Sequence, residues 1–166
     1  IVESITFSRQ GANHIVDLHV TLRADQGVPL KMGDTEECCL GLRFADEFRQ
    51  DRGATLLNSD GLATTEKIWG KSAKWVDYST TLKGHKAGVA ILDHAKNPKH
   101  PTYWHARGYA FCAANPFGEH DFFNDKSRDG SMTIPKDGKL EFRYRVVIHP
   151  GDAKDAKVEE LSAAFK

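Results

Sequence analysis

Residues 93–118, DHAKNPKHPTYWHARGYAFCAANPFG, concentrate the side chains that could do chemistry. They hold three of the eight histidines and three of the six prolines, a density of polar and turn-forming groups that core filling does not require. If 102–107 is extended, alternation puts Tyr103, His105 and Arg107 on one face and Trp104 on the other. A positive neighbour such as Arg107 would disfavour protonation of His105, and a neutral imidazole there could accept a proton. Asp93 could orient that ring or serve as acid, and Arg107 could stabilise an oxyanion or enolate, a common division of labour in proton abstraction next to a carbonyl. The catalytic set expected from the residues is His105 as base, Arg107 as charge stabiliser and Asp93 as partner. A histidine and arginine on a solvated strand face are the competing reading.

Candidate ligand contacts surround this set. Trp75 and Asp77 share one face of 74–79, where an indole can stack on the C–H face of a sugar while the acid holds hydroxyls; core packing of the indole is the alternative. Trp104 would be a second stacking platform, with Tyr103 and His94 beside it. Asn97 and Asn115 each precede a proline and either contact ligand or satisfy a turn. Arg43 is a candidate for an anion or sugar hydroxyl, with a surface salt bridge as the competing role. A divalent metal would draw on His94, His100 and His105 with Asp93, but spacings of six and five residues match no compact ligand motif, so no cofactor is predicted. There is no G-x-S-x-G turn and no phosphate-binding glycine loop.

The elements that must position these groups read as strands. In 14–22, Val16, Leu18, Val20 and Leu22 alternate with Asp17, His19 and Thr21, the period of a half-buried strand. A second strand at 36–44 sends Cys38, Leu40, Leu42 and Phe44 inward, while Gly41, on the face of Cys39 and Arg43, admits a close neighbour. Strand 74–79 and strand 87–93 are joined by a hairpin turn around Gly84 and His85, and 140–149 alternates to its end. Residues 119–130 read as a surface loop pinned by Phe122 and Phe123. Only the tail is helical, with Asp152 as its N-cap, Val158, Leu161 and Phe165 on one side, and a sheet edge as its seat. Eight to ten strands and one terminal helix make an all-β fold, an antiparallel β-sandwich in a single domain over 1–166.

Composition narrows the partners. Twenty-three basic and 23 acidic residues cancel, and neither sign forms a long block, so the field needed for nucleic acid or an anionic membrane is missing. No apolar run approaches the roughly 18 residues of a spanning helix. A small neutral or polar ligand fits better. Cys112 lies in an apolar run and reads as a buried thiol; adjacent Cys38 and Cys39 in a strand point to opposite faces, against a vicinal disulfide. Three cysteines give no framework, and the compartment stays open. A start at Ile1 inside a strand suggests a processed chain or a fragment.

Three stretches carry a family likeness: WGKSAKWVDYS at 69–79, GVAILDHAKNPKHPTYWHARGYAFCAANPFG at 88–118, and LEFRYRVVIHPGD at 140–152. They resemble the uncharacterised bacterial family often labelled methane oxygenase PmoA-like, over nearly the whole chain. The resemblance implies that this is the C-terminal part of a longer protein, whose N-terminal part carries its own His- and Arg-rich motif and completes the fold. It further implies a sugar-related β-sandwich, here a partial galactose-mutarotase-like supersandwich, and a saccharide ligand. Where relatives tend to have Tyr-Gly in the central motif, this chain has Tyr109-Ala110 after Gly108. Methane oxidation itself is not expected, because the particulate monooxygenase subunits sit in membranes and this chain has no spanning run. The expected function is a carbohydrate-related enzyme of lyase, hydrolase or epimerase type. A non-catalytic saccharide-binding module and a metal-dependent enzyme are the alternatives.

Overall fold

The computed structural model of the chain describes residues 1–37 and 39–166; the expectations for Cys38 lie outside the described residues. Its strands are β1 (Val2–Gln10), β2 (Asn13–Arg23), β3 (Leu30–Met32), β4 (Leu40–Arg43), β5 (Thr55–Asn58), β6 (Trp75–Leu82), β7 (His85–Asp93), β8 (Tyr103–Arg107), β9 (Phe111–Asn115), β10 (Met132–Ile134) and β11 (Lys139–Pro150). Short helices α1 (Thr65–Ile68) and α2 (Glu119–Phe122) lie in connections, and α3 (Val158–Ala164) ends the chain. The expected all-β class and antiparallel, sandwich-like build are what the chain adopts.

A six-stranded sheet runs in the order β1-β2-β11-β7-β6-β5, faced by a three-stranded sheet β4-β9-β8, with β10-β3 as a separate pair. All pairings are antiparallel. Alternation explains the layering. Val76, Tyr78, Ile91, Phe142 and Tyr144 point from the large sheet toward Trp104, Ala106, Cys112 and Ala114 of the small one, forming the main core. Each such large side chain contributes roughly 1.5–3 kcal/mol by leaving water. The β6–β7 hairpin closes through Lys83 and Gly84, both at positive φ (49° and 83°), the two-residue turn that suits strand twist.

The opposite face of the large sheet carries a second core. Trp75, Ala90, Leu92, Val147 and Ile15 pack there against Ala153, Ala156, Val158 and Leu161. The helix α3 therefore lies across the middle of the sheet and not at its edge. Its expected N-cap is also displaced: Asp152 Oδ1 accepts from the N–H groups of Lys154 and Asp155 (both 3.0 Å), capping the turn before α3, whose own N-cap position is Lys157. Among the described residues, no helix is long and apolar enough to cross a membrane.

Candidate active site

The sheet-face assignment in 102–107 holds, but the three groups expected to act together separate into two clusters. At the end of β7, Asp93 is 2 % exposed, and its oxygens are fully engaged. Asn97 Nδ2 donates to Oδ1 (2.7 Å); the Thr102 N–H donates to Oδ2 (2.9 Å), where His100 Nδ1 also lies at 2.7 Å. Asn97 and the Thr102 amide can only donate there, and with Asp93 ionised all three partners are satisfied when Nδ1 of His100 carries the proton. Burial pushes the Asp93 carboxyl above the usual range, opposed by these same donors. Asn97 also accepts from the Arg143 N–H (2.7 Å) and donates to the Arg143 carbonyl (2.6 Å), tying the 94–101 loop to β11. Its side chain thus satisfies the backbone of a strand and not that of a turn.

His100 keeps its ring partly open, at 23 % side-chain exposure. It lines a cleft of about 220 Å³ together with Asp93, Lys74, Glu159, Ser162 and Phe165. The far wall of that cleft is supplied by α3 and the two residues after it, Phe165 and Lys166. Glu159 accepts from Trp75 Nε1 (2.7 Å) and pairs with Lys74 Nζ (3.5 Å), fixing the helix over the sheet. Trp75 is thus a core residue whose polar edge anchors α3, and its indole is 5 % exposed.

His105 and Arg107 form the second cluster, on the outward face of β8. Arg107 Nε donates to His105 Nε2 (2.7 Å), and His105 Nδ1 donates to the Glu36 carbonyl (2.8 Å). An arginine can only donate and a carbonyl only accept, which fixes the tautomer and occupies both ring nitrogens. The Arg107 guanidinium lies 3.8 Å from the Trp69 ring centroid and reaches Glu36 Oε2 at 3.4 Å. With His105 2 % exposed, the pair fastens the 35–37 segment onto the small sheet. The expected base has no lone pair to offer without displacing Arg107.

The other expected contacts divide similarly. Trp104 is fully buried, its Nε1 donating to the Ala73 carbonyl (2.9 Å), so it has no face left for stacking. Asn115 is buried between the Thr35 carbonyl and the Phe117 N–H (2.8 Å each). Arg43 stacks on Tyr109, 4.7 Å from the centroid, and donates to that residue's carbonyl, and among the described residues it forms no salt bridge. The close neighbour admitted by Gly41 is the Phe111 ring. Tyr103 is half-buried against Phe122 and Phe123, and burial raises its phenol. His94 accepts from the Lys96 N–H (3.0 Å) and meets Phe165 edge-on; burial pushes its protonation downward, opposed by a backbone hydrogen bond with Lys166 and helped by the charges of Arg143 and Lys96. The three histidines of the metal reading thus turn their nitrogens to different partners. Cys112 is buried as expected, and desolvation holds its thiol protonated.

Asp77 belongs to a third polar group. His149 Nε2 lies 2.7 Å from Asp77 Oδ2, Ser79 Oγ donates to Asp77 Oδ1, and His149 Nδ1 faces the Pro150 carbonyl at 3.2 Å. Both imidazole nitrogens face acceptors, the pattern of an imidazolium. Burial works against that charge, but the Asp77 hydrogen bond and charge outweigh it and raise the His149 pKa above its ordinary value. The group is nearly buried, and its Asp77 and Ser79 border a cleft of about 260 Å³ with Asp152 and Lys154.

Sequence reasoning reached His100 only as a metal candidate and did not reach Lys74, Glu159, Ser162, Phe165 or Trp69. The contacts of α3 span more than 80 positions, as in Trp75 with Glu159, and no local period records them. No curated protein and no solved structure matches the chain. A family model does match, over residues 2–163, and on that extent the chain belongs to a family of unknown function (DUF6807).

Proposed function

We propose that the chain carries out general acid–base chemistry on a small polar ligand of the saccharide class, with His100 as the proton carrier and Asp93 as the carboxylate that orients it. One observation carries this reading: a buried carboxylate 2.7 Å from His100 Nδ1, on a ring that lines an open cleft. Asp93 fixes the tautomer that presents the Nε2 lone pair, and it stabilises the imidazolium once a proton has been taken. The cleft volume of about 220 Å³ lies below the roughly 300–1,000 Å³ of pockets for drug-sized ligands, so the enclosed unit is about one sugar residue. Lys74, Ser162 and Glu159 suit hydroxyls, and the ring of Phe165 suits a C–H face. The likeness to the PmoA-like family supports the same ligand class.

Among reaction types, proton abstraction of epimerase or lyase kind fits better than two-carboxylate hydrolysis. Asp93 is saturated with donors, and Glu159 is tied to Trp75 and Lys74, so both side-chain carboxyl groups among the described residues of the cleft already have partners. The test is to incubate the protein with aldoses, uronates and disaccharides in D2O and follow each by proton NMR. Loss of a carbon-bound proton signal, or appearance of a product, is expected. Sugars that bind and return unchanged would favour a binding module, and sugars that neither bind nor change would overturn the reading.

A further inference from the structure

The strand β1 is an edge strand of nine residues, every one exposed, paired only to β2 on its inner side. Natural sheets seldom leave so long an edge unpaired without bulges, prolines or a run of lysines, because its free N–H and C=O groups invite another strand. Here the edge also carries exposed apolar side chains, Ile5 at 51 % and Phe7 at 77 %. The register β1–β2 sets Ile5 beside Leu18 and Phe7 beside Val16, so both continue the apolar face of the large sheet.

We infer that β1 pairs antiparallel with β1 of a second copy about a two-fold axis through Thr6, joining the two large sheets into one. A two-fold axis normal to the sheet keeps the apolar faces on the same side and therefore pairs odd positions with odd ones. Of these registers, the one centred on Thr6 sets Glu3 opposite Arg9 of the copy, and Arg9 opposite its Glu3. It also sets Ile5 opposite Phe7, and Ser4 opposite Ser8, each twice by symmetry. Centring one residue earlier sets Ile5 against its own copy but Glu3 against Phe7, and centring one later sets Phe7 against its own copy but Ile5 against Arg9; each loses both charge pairs and puts a charged side chain opposite an apolar one. The strand is thus complementary to itself in charge and in hydrophobicity at one register, and this points to a second copy as its occupant. The pairing is isologous and closes at two copies.

Sedimentation velocity of the 166-residue chain over a concentration series tests this, with three variants. The expected wild-type mass at high concentration is twice 18.5 kDa. Arg9→Glu and Glu3→Arg each set like charges opposite one another twice and should raise the dimer dissociation constant about tenfold or more. The double variant Glu3→Arg/Arg9→Glu restores both pairs and should return the constant to about the wild-type value. Glu3 and Arg9 are exposed, so a circular dichroism spectrum matching wild type is expected of all three. A wild type at single-chain mass throughout, association beyond two copies, a dimer indifferent to the single changes, or a double variant that stays dissociated would each overturn the inference.

Discussion

His149 and Asp77 form an enclosed pair, Nε2 to Oδ2 at 2.7 Å, with side chains 0 % and 2 % exposed. Gly88 is the reason the ring can lie where it does. A Cβ on Gly88 would stand 2.2 Å from His149 Cε1 and 2.6 Å from Nε2, so only glycine leaves room for the imidazole across β7.

The pair makes stability depend on pH with a definite sign. The folded pKa of His149 is raised, so its contribution is complete below the unfolded value of about 6.5 and is lost as pH rises through the folded value. Urea midpoints of wild type and His149→Gln, measured from pH 5.5 upward, should therefore converge on the alkaline side. A difference that stays constant or widens with rising pH would contradict the charged pair. His149→Ala should cost about 3–5 kcal/mol near pH 6, because it strands a buried carboxylate.

Gly88→Ala should destabilise by about 1–3 kcal/mol through overpacking. Combined with His149→Ala, which empties the space, the same change should be close to neutral. Denaturant unfolding of the four proteins in this cycle measures the coupling, and additive costs would show that the ring and the glycine do not share that space.

Much of the frame is visible in the residues because it is written in period two. The alternation of 14–22, 74–79 and 140–149, the hairpin between 74–79 and 87–93, and the shared face of Tyr103, His105 and Arg107 survive in the structure, with the turn tip one residue earlier than expected, at Lys83-Gly84, and His85 opening β7. Alternation assigns side chains to a face without saying what covers that face. His149 follows Glu141, Arg143 and Arg145 on the more polar side of β11, yet the 150–157 turn and Gly88 enclose it. The residues offer Asp93 as the group that orients His105, but the loop between them folds back and delivers His100 instead, through a contact that no strand period encodes. The same holds for Trp104, whose face was legible and whose complete burial was not.

His105 gives a further discriminating outcome. As a fastener, His105→Ala leaves the Arg107 Nε and the Glu36 carbonyl without their partner and should cost about 1–3 kcal/mol. Amide hydrogen exchange should show 35–37 opening, with ligand binding in the His100 cleft preserved. Unchanged protection in that segment would contradict this role.

The central claim is most directly tested by the rate at which a carbon-bound sugar proton exchanges or a product forms, compared between wild type and His100→Asn with the ligand that responds best. Loss of the general base should lower that rate by about 10²–10⁴-fold while sugar binding persists, and Asp93→Asn should slow it as well by presenting the wrong tautomer. A folded His100→Asn variant that turns over sugar at the wild-type rate would contradict the account.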